Sequence, residues 1–208
     1  MKYVIFICLL LNILNVSSQS KTELYVIKYS DLAIREMKQY NIPASITLSQ
    51  GILESGNGES RLATKGNNHF GIKCHGWQGQ EIYADYDEEN ECFRKYRKVE
   101  DSFRDHSIFL KKNGRYSFLF ELDLNDYVGW AHGLKKAGYA TSPNYAEKLI
   151  SLIEKYDLSK FDKHNTGTKE QELFLSYNYG FPFIFGLGLT YVNDNRYIIS
   201  TKQRKNYF

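Results

Sequence analysis

Apolar positions fall into periodic blocks separated by polar, glycine-rich stretches. Leu24, Ile27, Leu32, Ile34 and Met37 recur among charges over residues 22–40, which predicts a helix. Ile42-Pro43 restarts the chain, since proline is tolerated in a first helical turn. Ile46, Leu48, Ile52 and Leu53 then predict a short, mostly apolar helix closed by Gly56. Residues 57–80 are rich in Gly, Asn and His and read as an ordered loop. Ile82, Ala84 and Tyr86 alternate with Tyr83, Asp85 and Asp87. Glu91-Cys92-Phe93-Arg94-Lys95-Tyr96 follows, so a β-hairpin with an acidic tip is predicted.

Helical spacing resumes at Val99, with Phe103, His106, Phe109 and Leu110, and again from Asp126 through Trp130 and Leu134 to Gly138. Ser142-Pro143 reads as an N-cap and first-turn proline. Tyr145, Leu149, Leu152, Ile153 and Tyr156 supply the core face that follows, and the compact part ends near Phe161. About five helices thus surround one small β-hairpin insertion. Residues 163–208 differ. A polar link, 163–172, leads into an aromatic- and glycine-rich stretch, and Tyr191-Val192 and Tyr197-Ile198-Ile199 flank a second predicted hairpin. The tail is too apolar to read as disordered, and the sequence assigns it no role.

Composition narrows the classes. The chain of 208 residues has 27 Lys and Arg against 24 Asp and Glu, a net charge of +3. So weak a positive balance argues for no nucleic-acid partner and no anionic membrane surface. At the start, Lys2 precedes the apolar run Val4–Leu14, and Val16-Ser17-Ser18 supplies small residues before Gln19. That is the layout of a secretory signal peptide over residues 1–19. The run is short of the roughly 20 residues a membrane span needs. The expectation is an exported, water-soluble chain without a membrane span, bound for periplasm, cell envelope or medium. Beyond Cys8 the chain holds only Cys74 and Cys92. In an oxidising compartment they pair as a disulfide, worth about 3 kcal/mol in the chain-entropy account. The alternative is two buried free thiols. Two cysteines cannot alone make a tetrahedral zinc site, and His69 and His75 lack finger spacing, so no metal is expected.

The sharpest chemical feature is Ser49-Gln50-Gly51-Ile52-Leu53-Glu54-Ser55-Gly56. Glu54 falls in the last turn of an apolar helix, where the negative end of the dipole and burial both disfavour its charge. A carboxylic acid that keeps its proton near neutral pH can protonate a glycosidic oxygen. The same position also suits an ordinary exposed glutamate at a helix end. His69, His75, His106 and His132 form no ligand set, and Asp105-His106 reads as a hydrogen-bonded pair on a helix face. Nucleotide-binding and zinc-protease motifs are absent, and Ser55 lacks the leading glycine of a nucleophile elbow.

Five segments in order carry a resemblance: Ile42-Pro43-Ala44-Ser45 leading into 49–58; Asn67-Asn68-His69-Phe70-Gly71-Ile72-Lys73; Phe93-Arg94-Lys95-Tyr96; Asp101–His106; and Gly138-Tyr139-Ala140-Thr141-Ser142-Pro143-Asn144-Tyr145-Ala146. Over about residues 25–158 the chain resembles the glucosaminidase domain of glycoside hydrolase family 73, the flagellar-muramidase and autolysin type. The resemblance implies a lysozyme-like α+β fold over residues 20–162, with a helical lobe, a β-lobe and a groove between them. It implies cleavage of the β-1,4 bond between N-acetylglucosamine and N-acetylmuramic acid in peptidoglycan glycan strands, without cofactor. By the same resemblance Glu54 matches the general acid and Tyr139 a groove tyrosine. Asn68, Phe70 and Gly71 match a turn lining the site, and these residues also suit ordinary turn chemistry.

For the second carboxylate the matching position is Asp85, before Tyr86, one methylene shorter than the family's glutamate. An inverting enzyme holds its carboxyls about 6.5–9.5 Å apart and a retaining one about 5–5.5 Å, whereas a substrate-assisted route needs no close partner. Asp87, Glu88 and Glu89 read as a solvated tip. Trp77, Tyr83, Tyr86, Tyr116, Trp130 and Tyr145 are candidates for stacking on sugar rings, with Trp130 and Tyr145 better suited to the core and Trp77 expected to be exposed. The expected protein is a monomer. The alternatives are a binding module of the same fold without turnover, and a muramidase or lytic transglycosylase cutting the alternate linkage.

Overall fold

The structure, a computed structural model, describes residues 19–85 and 89–163, and the backbone of 172–180, 183–193 and 196–203. The expected leader, apart from Gln19, lies outside the described residues, as do Tyr86, Asp87, Glu88 and the side chains of the tail. The chain divides into two compact units after Lys163.

In the first unit, α1 (Lys21–Tyr40) starts at a capping box in which the Ser20 hydroxyl accepts from Glu23 N–H and the Glu23 carboxylate accepts from Ser20 N–H. Tyr25, Tyr29, Leu32, Ala33 and Met37 form its buried stripe. α2 (Ala44–Ser55) is buried along almost its whole length. It follows Pro43, which offers no capping side chain. The cap instead comes from 117 residues away, where the buried Asp162 accepts from Ser45 N–H at 2.8 Å. Burial pushes the Asp162 carboxyl up to about 6, against the backbone donors that pull it down. Gly51 sits mid-helix because Tyr25 packs directly on it, leaving no room for a Cβ. Gly56, at φ 56°, ends the helix, as the sequence predicts.

Within the expected loop of residues 57–80 the structure has a further helix, α3 (Arg61–Gly66), capped by Ser60. The hairpin forms as predicted, with β1 (Gln80–Ala84) antiparallel to β2 (Glu91–Lys95) and Ile82 opposite Phe93. α4 (Val99–Lys112) buries Phe103, His106 and Leu110. A 3-10 segment, Gly114–Glu121, follows that the periodicity does not reveal. α5 (Tyr127–Lys136) carries the fully buried Trp130, and α6 (Tyr145–Lys155) buries Tyr145, Leu149 and Ile153. Ser142-Pro143 does not start α6. The residues before it form a turn, and Asn144 precedes the helix without a side-chain cap. A short 3-10 turn, Leu158–Phe161, then brings Asp162 to α2.

Two ion pairs fasten α4, one to another helix and one to the hairpin. Arg104 of α4 grips Glu36 of α1 through two nitrogens, at 2.9 and 3.0 Å. Asp105 accepts from Arg94 of β2 at 2.8 Å and from the Tyr96 hydroxyl. The expected Asp105–His106 bond is therefore absent, because successive helical residues point about 100° apart. His106 is fully buried with neither ring nitrogen bonded among the described residues, stacked on Phe70 at 4.0 Å between ring centroids. Burial pushes its pKa down to about 3.

The second unit is a meander in which β3 (Glu172–Gly180), β4 (Phe183–Asn193) and β5 (Arg196–Gln203) pair antiparallel in chain order. The predicted second hairpin is its β4–β5 pair, with Tyr191 opposite Ile198.

Candidate active site

A cavity of about 570 Å³ opens between the helical lobe and the hairpin lobe. One wall comes from the end of α2, the start of α6 and the segment after α5. The other comes from the Phe70–Lys73 loop with Phe93 and Arg94 of β2.

Glu54 stands on the first wall, one residue before the end of α2 and partly buried. Its Oε1 accepts from the Tyr145 hydroxyl at 2.9 Å. Burial raises its pKa, and the Tyr145 bond pulls in the opposite direction. Burial prevails because a carboxylate in an apolar helix end loses more hydration than one neutral donor restores. Tyr145 is buried, and its hydroxyl also accepts from Gln50 Nε2 at 2.9 Å. Gln50 is itself fully buried and one turn before Glu54 on the same helix face.

Tyr139 reaches the cleft because α5 ends in a Schellman motif. Gly138 adopts φ 76°, its N–H bonds back to Lys135, and the Tyr139 N–H bonds back to Leu134. The Tyr139 ring stacks on Tyr145 at 5.7 Å and 20° and lies 6.2 Å from Tyr116. Burial and the Glu54 carboxylate hold its phenol far above the usual range, so it stays protonated.

The opposite wall rests on Asn68. Its Oδ1 accepts from Ile72 N–H at 3.1 Å, and its Nδ2 donates to Ile72 O at 3.0 Å and Arg94 O at 2.8 Å. With Gly71 at φ 63°, these bonds shape the loop that turns Phe70 and Gly71 toward the cleft. Asn68 does not line the cavity; it is 1% exposed and acts beneath the surface. The Cys74–Cys92 disulfide fastens the same loop to β2, as the cysteine count predicts, with Cα atoms 5.5 Å apart. The thiols so joined are unavailable to a metal, although Glu81 lies beside them.

Two expected site residues stand elsewhere. Trp77 is half-buried and lines no part of the cavity. Its indole N–H donates to Gln80 O at 2.8 Å, its ring meets Tyr96 edge-on, and the Arg94 guanidinium lies over its face. These contacts hold the ring against the hairpin, outside the cavity lining. Asp85 is exposed at the end of the hairpin, where its carboxylate accepts from Asn90 N–H at 2.7 Å. It borders a separate recess with Arg61, Tyr83 and Asn90. Among the described residues, Glu54 is the one carboxylate that lines the main cavity.

The periodicity gives no sign of the cavity's cations. Lys73 and Arg94 on the loop wall are bonded to Glu91 and Asp105. Arg115 and Lys148 on the helical wall have no acidic partner among the described residues. Lys148 sits three residues after Tyr145, hence on the same helix face.

Comparison with known proteins places these residues in context. A family model described as mannosyl-glycoprotein endo-beta-N-acetylglucosaminidase matches residues 30–158. The exo-glucosaminidase LytG of Bacillus subtilis is 35% identical over 147 residues, 65% of this chain and 52% of that protein. The peptidoglycan hydrolase FlgJ of Vibrio cholerae is 29% identical over 164 residues, 73% of this chain and 49% of that protein. The chain thus spans about half the length of these curated relatives. Among solved structures, the catalytic domain of the autolysin Auto from Listeria monocytogenes superposes with a TM-score of 0.62 at 27% identity, covering 71% of this chain and 91% of that one. The helical lobe, small sheet and intervening cleft are those of that lysozyme-like fold.

Proposed function

The chain belongs to the glucosaminidase family, and from that premise we propose that it is an exported peptidoglycan hydrolase that cuts the β-1,4 bond between N-acetylglucosamine and N-acetylmuramic acid. The observation that carries the reading is the Glu54 site. A carboxyl whose charge is disfavoured by burial stands in a cleft between two lobes, held by one buried tyrosine and flanked by another.

In this reading Glu54 is the general acid. It passes its proton to the glycosidic oxygen as the bond to the anomeric carbon breaks. The substrate's own acetamide oxygen attacks that carbon from the opposite face, a route that needs no close second carboxylate. Water then opens the cyclic intermediate, and the Glu54 carboxylate takes up its proton. Asp85, exposed and engaged by Asn90 N–H, supports the hairpin end in this account. Tyr139, neutral and stacked on Tyr145, presents its face and hydroxyl to the sugar. Arg115 and Lys148 suit a substrate whose stem peptides carry carboxylates.

The test is turnover of purified peptidoglycan by the chain and by Glu54→Gln, with the reducing ends of the products identified by mass spectrometry. Fragments ending in reducing N-acetylglucosamine, absent with the variant, support the reading. Reducing N-acetylmuramic acid would make it a muramidase, and anhydro ends a lytic transglycosylase. Pelleting with the glycan without release would make it a binding module.

A further inference from the structure

Gln50 is 0% exposed in the middle of a largely apolar helix, and no catalytic role in the family reading requires it. A buried amide is costly unless its hydrogen bonds are made. Here the described residues give it one: Nε2 donates to the Tyr145 hydroxyl at 2.9 Å, while Oε1 has no partner. The polar function of the side chain is therefore directed at Tyr145.

A tyrosine hydroxyl has one hydrogen to donate and lone pairs to accept with. Because the Tyr145 oxygen accepts from Gln50, its single hydrogen is free to go to Glu54 Oε1, 2.9 Å away. Chains of this kind strengthen one another, since an oxygen that accepts a bond becomes a better donor. With Oε1 occupied as an acceptor, the acidic proton of Glu54 has Oε2 as its site.

We propose that Gln50 is a positioning residue: acting through Tyr145, it fixes the direction of the hydroxyl proton, so that Glu54 accepts on Oε1 and carries its transferable proton on Oε2. The proposal rests on the reading of Glu54 as the acid. It adds that the acid's geometry is set by a three-member chain, Gln50 to Tyr145 to Glu54, spanning α2 and α6.

The test is a titration of the Glu54 carboxyl by carbon-13 NMR in the full chain, in Gln50→Met, in Tyr145→Phe and in the double variant, with peptidoglycan turnover followed against pH in parallel. Tyr145→Phe is expected to raise the Glu54 pKa by about one unit, the size of a lost bond to a charged group. Gln50→Met is expected to raise it by about a tenth to a third as much. The double variant should match Tyr145→Phe, because Gln50 has no other path to Glu54. The basic limb of turnover should move with the titration. If Gln50→Met fails to fold, Gln50→Leu serves: it likewise removes the donor to Tyr145 without adding a charge, and should raise the Glu54 pKa by a similar amount. An unmoved Glu54 titration in the Gln50 variant, or a Gln50 effect that adds fully to that of Tyr145→Phe, overturns the proposal. The expected titrations without any wild-type turnover would uphold the chain of bonds and overturn the hydrolase reading instead.

Discussion

Glu54 and Asp85 are the two carboxylates that the sequence singles out, and the fold treats them oppositely. Glu54 ends a buried helix, receives a hydrogen bond from a buried tyrosine and faces a cavity between lobes. Asp85 ends an exposed strand, receives a bond from the backbone of its own turn and borders a different recess. Burial disfavours charge on the first, whereas the second stands in solvent. The same functional group is thus biased toward its protonated form at one place and made a turn fastener at the other, by dielectric surroundings and neighbours alone. What a carboxylate can do is set by the element that carries it.

The largest expected effect is on Glu54→Gln, which keeps the shape and removes the proton. Turnover should fall by roughly 10²–10⁴-fold, the usual worth of a general acid, with the thermal transition little changed. Next is Cys74→Ala/Cys92→Ala, which frees the loop wall from β2. Stability to denaturant should drop by about 3 kcal/mol in the chain-entropy account, and a chemical-denaturation curve reads it directly.

The helical side should also be the acid-sensitive one. His106 is held neutral down to about 3 by burial, while an unfolded histidine protonates near 6.5. Between those values the unfolded chain binds a proton that the folded chain refuses. The stability present above pH 6.5 is therefore lost as pH falls, by about 1.4 kcal/mol per unit from this group alone. His69, pushed down to about 4 by burial, acts in the same sense. The raised Asp162 and Glu54 oppose it within the carboxylate range. Denaturation midpoints measured from pH 7 to pH 4 should fall in wild type and fall less steeply in His106→Phe.

Arg115→Gln and Lys148→Gln should each raise KM for intact peptidoglycan by about two- to fivefold, with kcat nearly unchanged, as suits an exposed pairing worth about 0.2–1 kcal/mol. Added salt should shrink the difference. The smallest effect should come from Asp85→Asn, with turnover within about threefold of wild type because the exposed turn keeps a side-chain acceptor.

Much of this was legible in the residues. The amphipathic stripes of α1, α4, α5 and α6, the apolar run of α2 and the alternation of the hairpin extend over enough residues to be read. α3, six residues long, and the 3-10 segment after α4 are too short to show a period. Ser142-Pro143 has the composition of a helix start, but the chain there spends two more residues in a turn to deliver Tyr145 to Glu54. At the site, Glu54 was visible as a polar residue in an apolar helix end, and Tyr139 through the motif around Gly138. Gln50 carried the same signal as Glu54 one turn earlier and went unread, because a neutral amide suggests no chemistry by itself. Tyr145 fitted the core better than the site, and it is buried yet borders the cavity through its bond to Glu54. Trp77 was misplaced because a glycine-rich loop predicts exposure, whereas Gln80, Tyr96 and Arg94 hold the ring down. Arg115 and Lys148 resembled ordinary solvated charges, since only the fold shows which surface becomes a cleft.

The contrast between the two carboxylates is tested most directly by measuring kcat for Glu54→Gln and Asp85→Asn side by side on the same peptidoglycan. The account predicts a loss of at least about a hundredfold for the first and less than about threefold for the second. A comparable loss at both positions would mean that the hairpin carboxylate takes part in the reaction and that the asymmetry seen in the fold does not carry over to the chemistry.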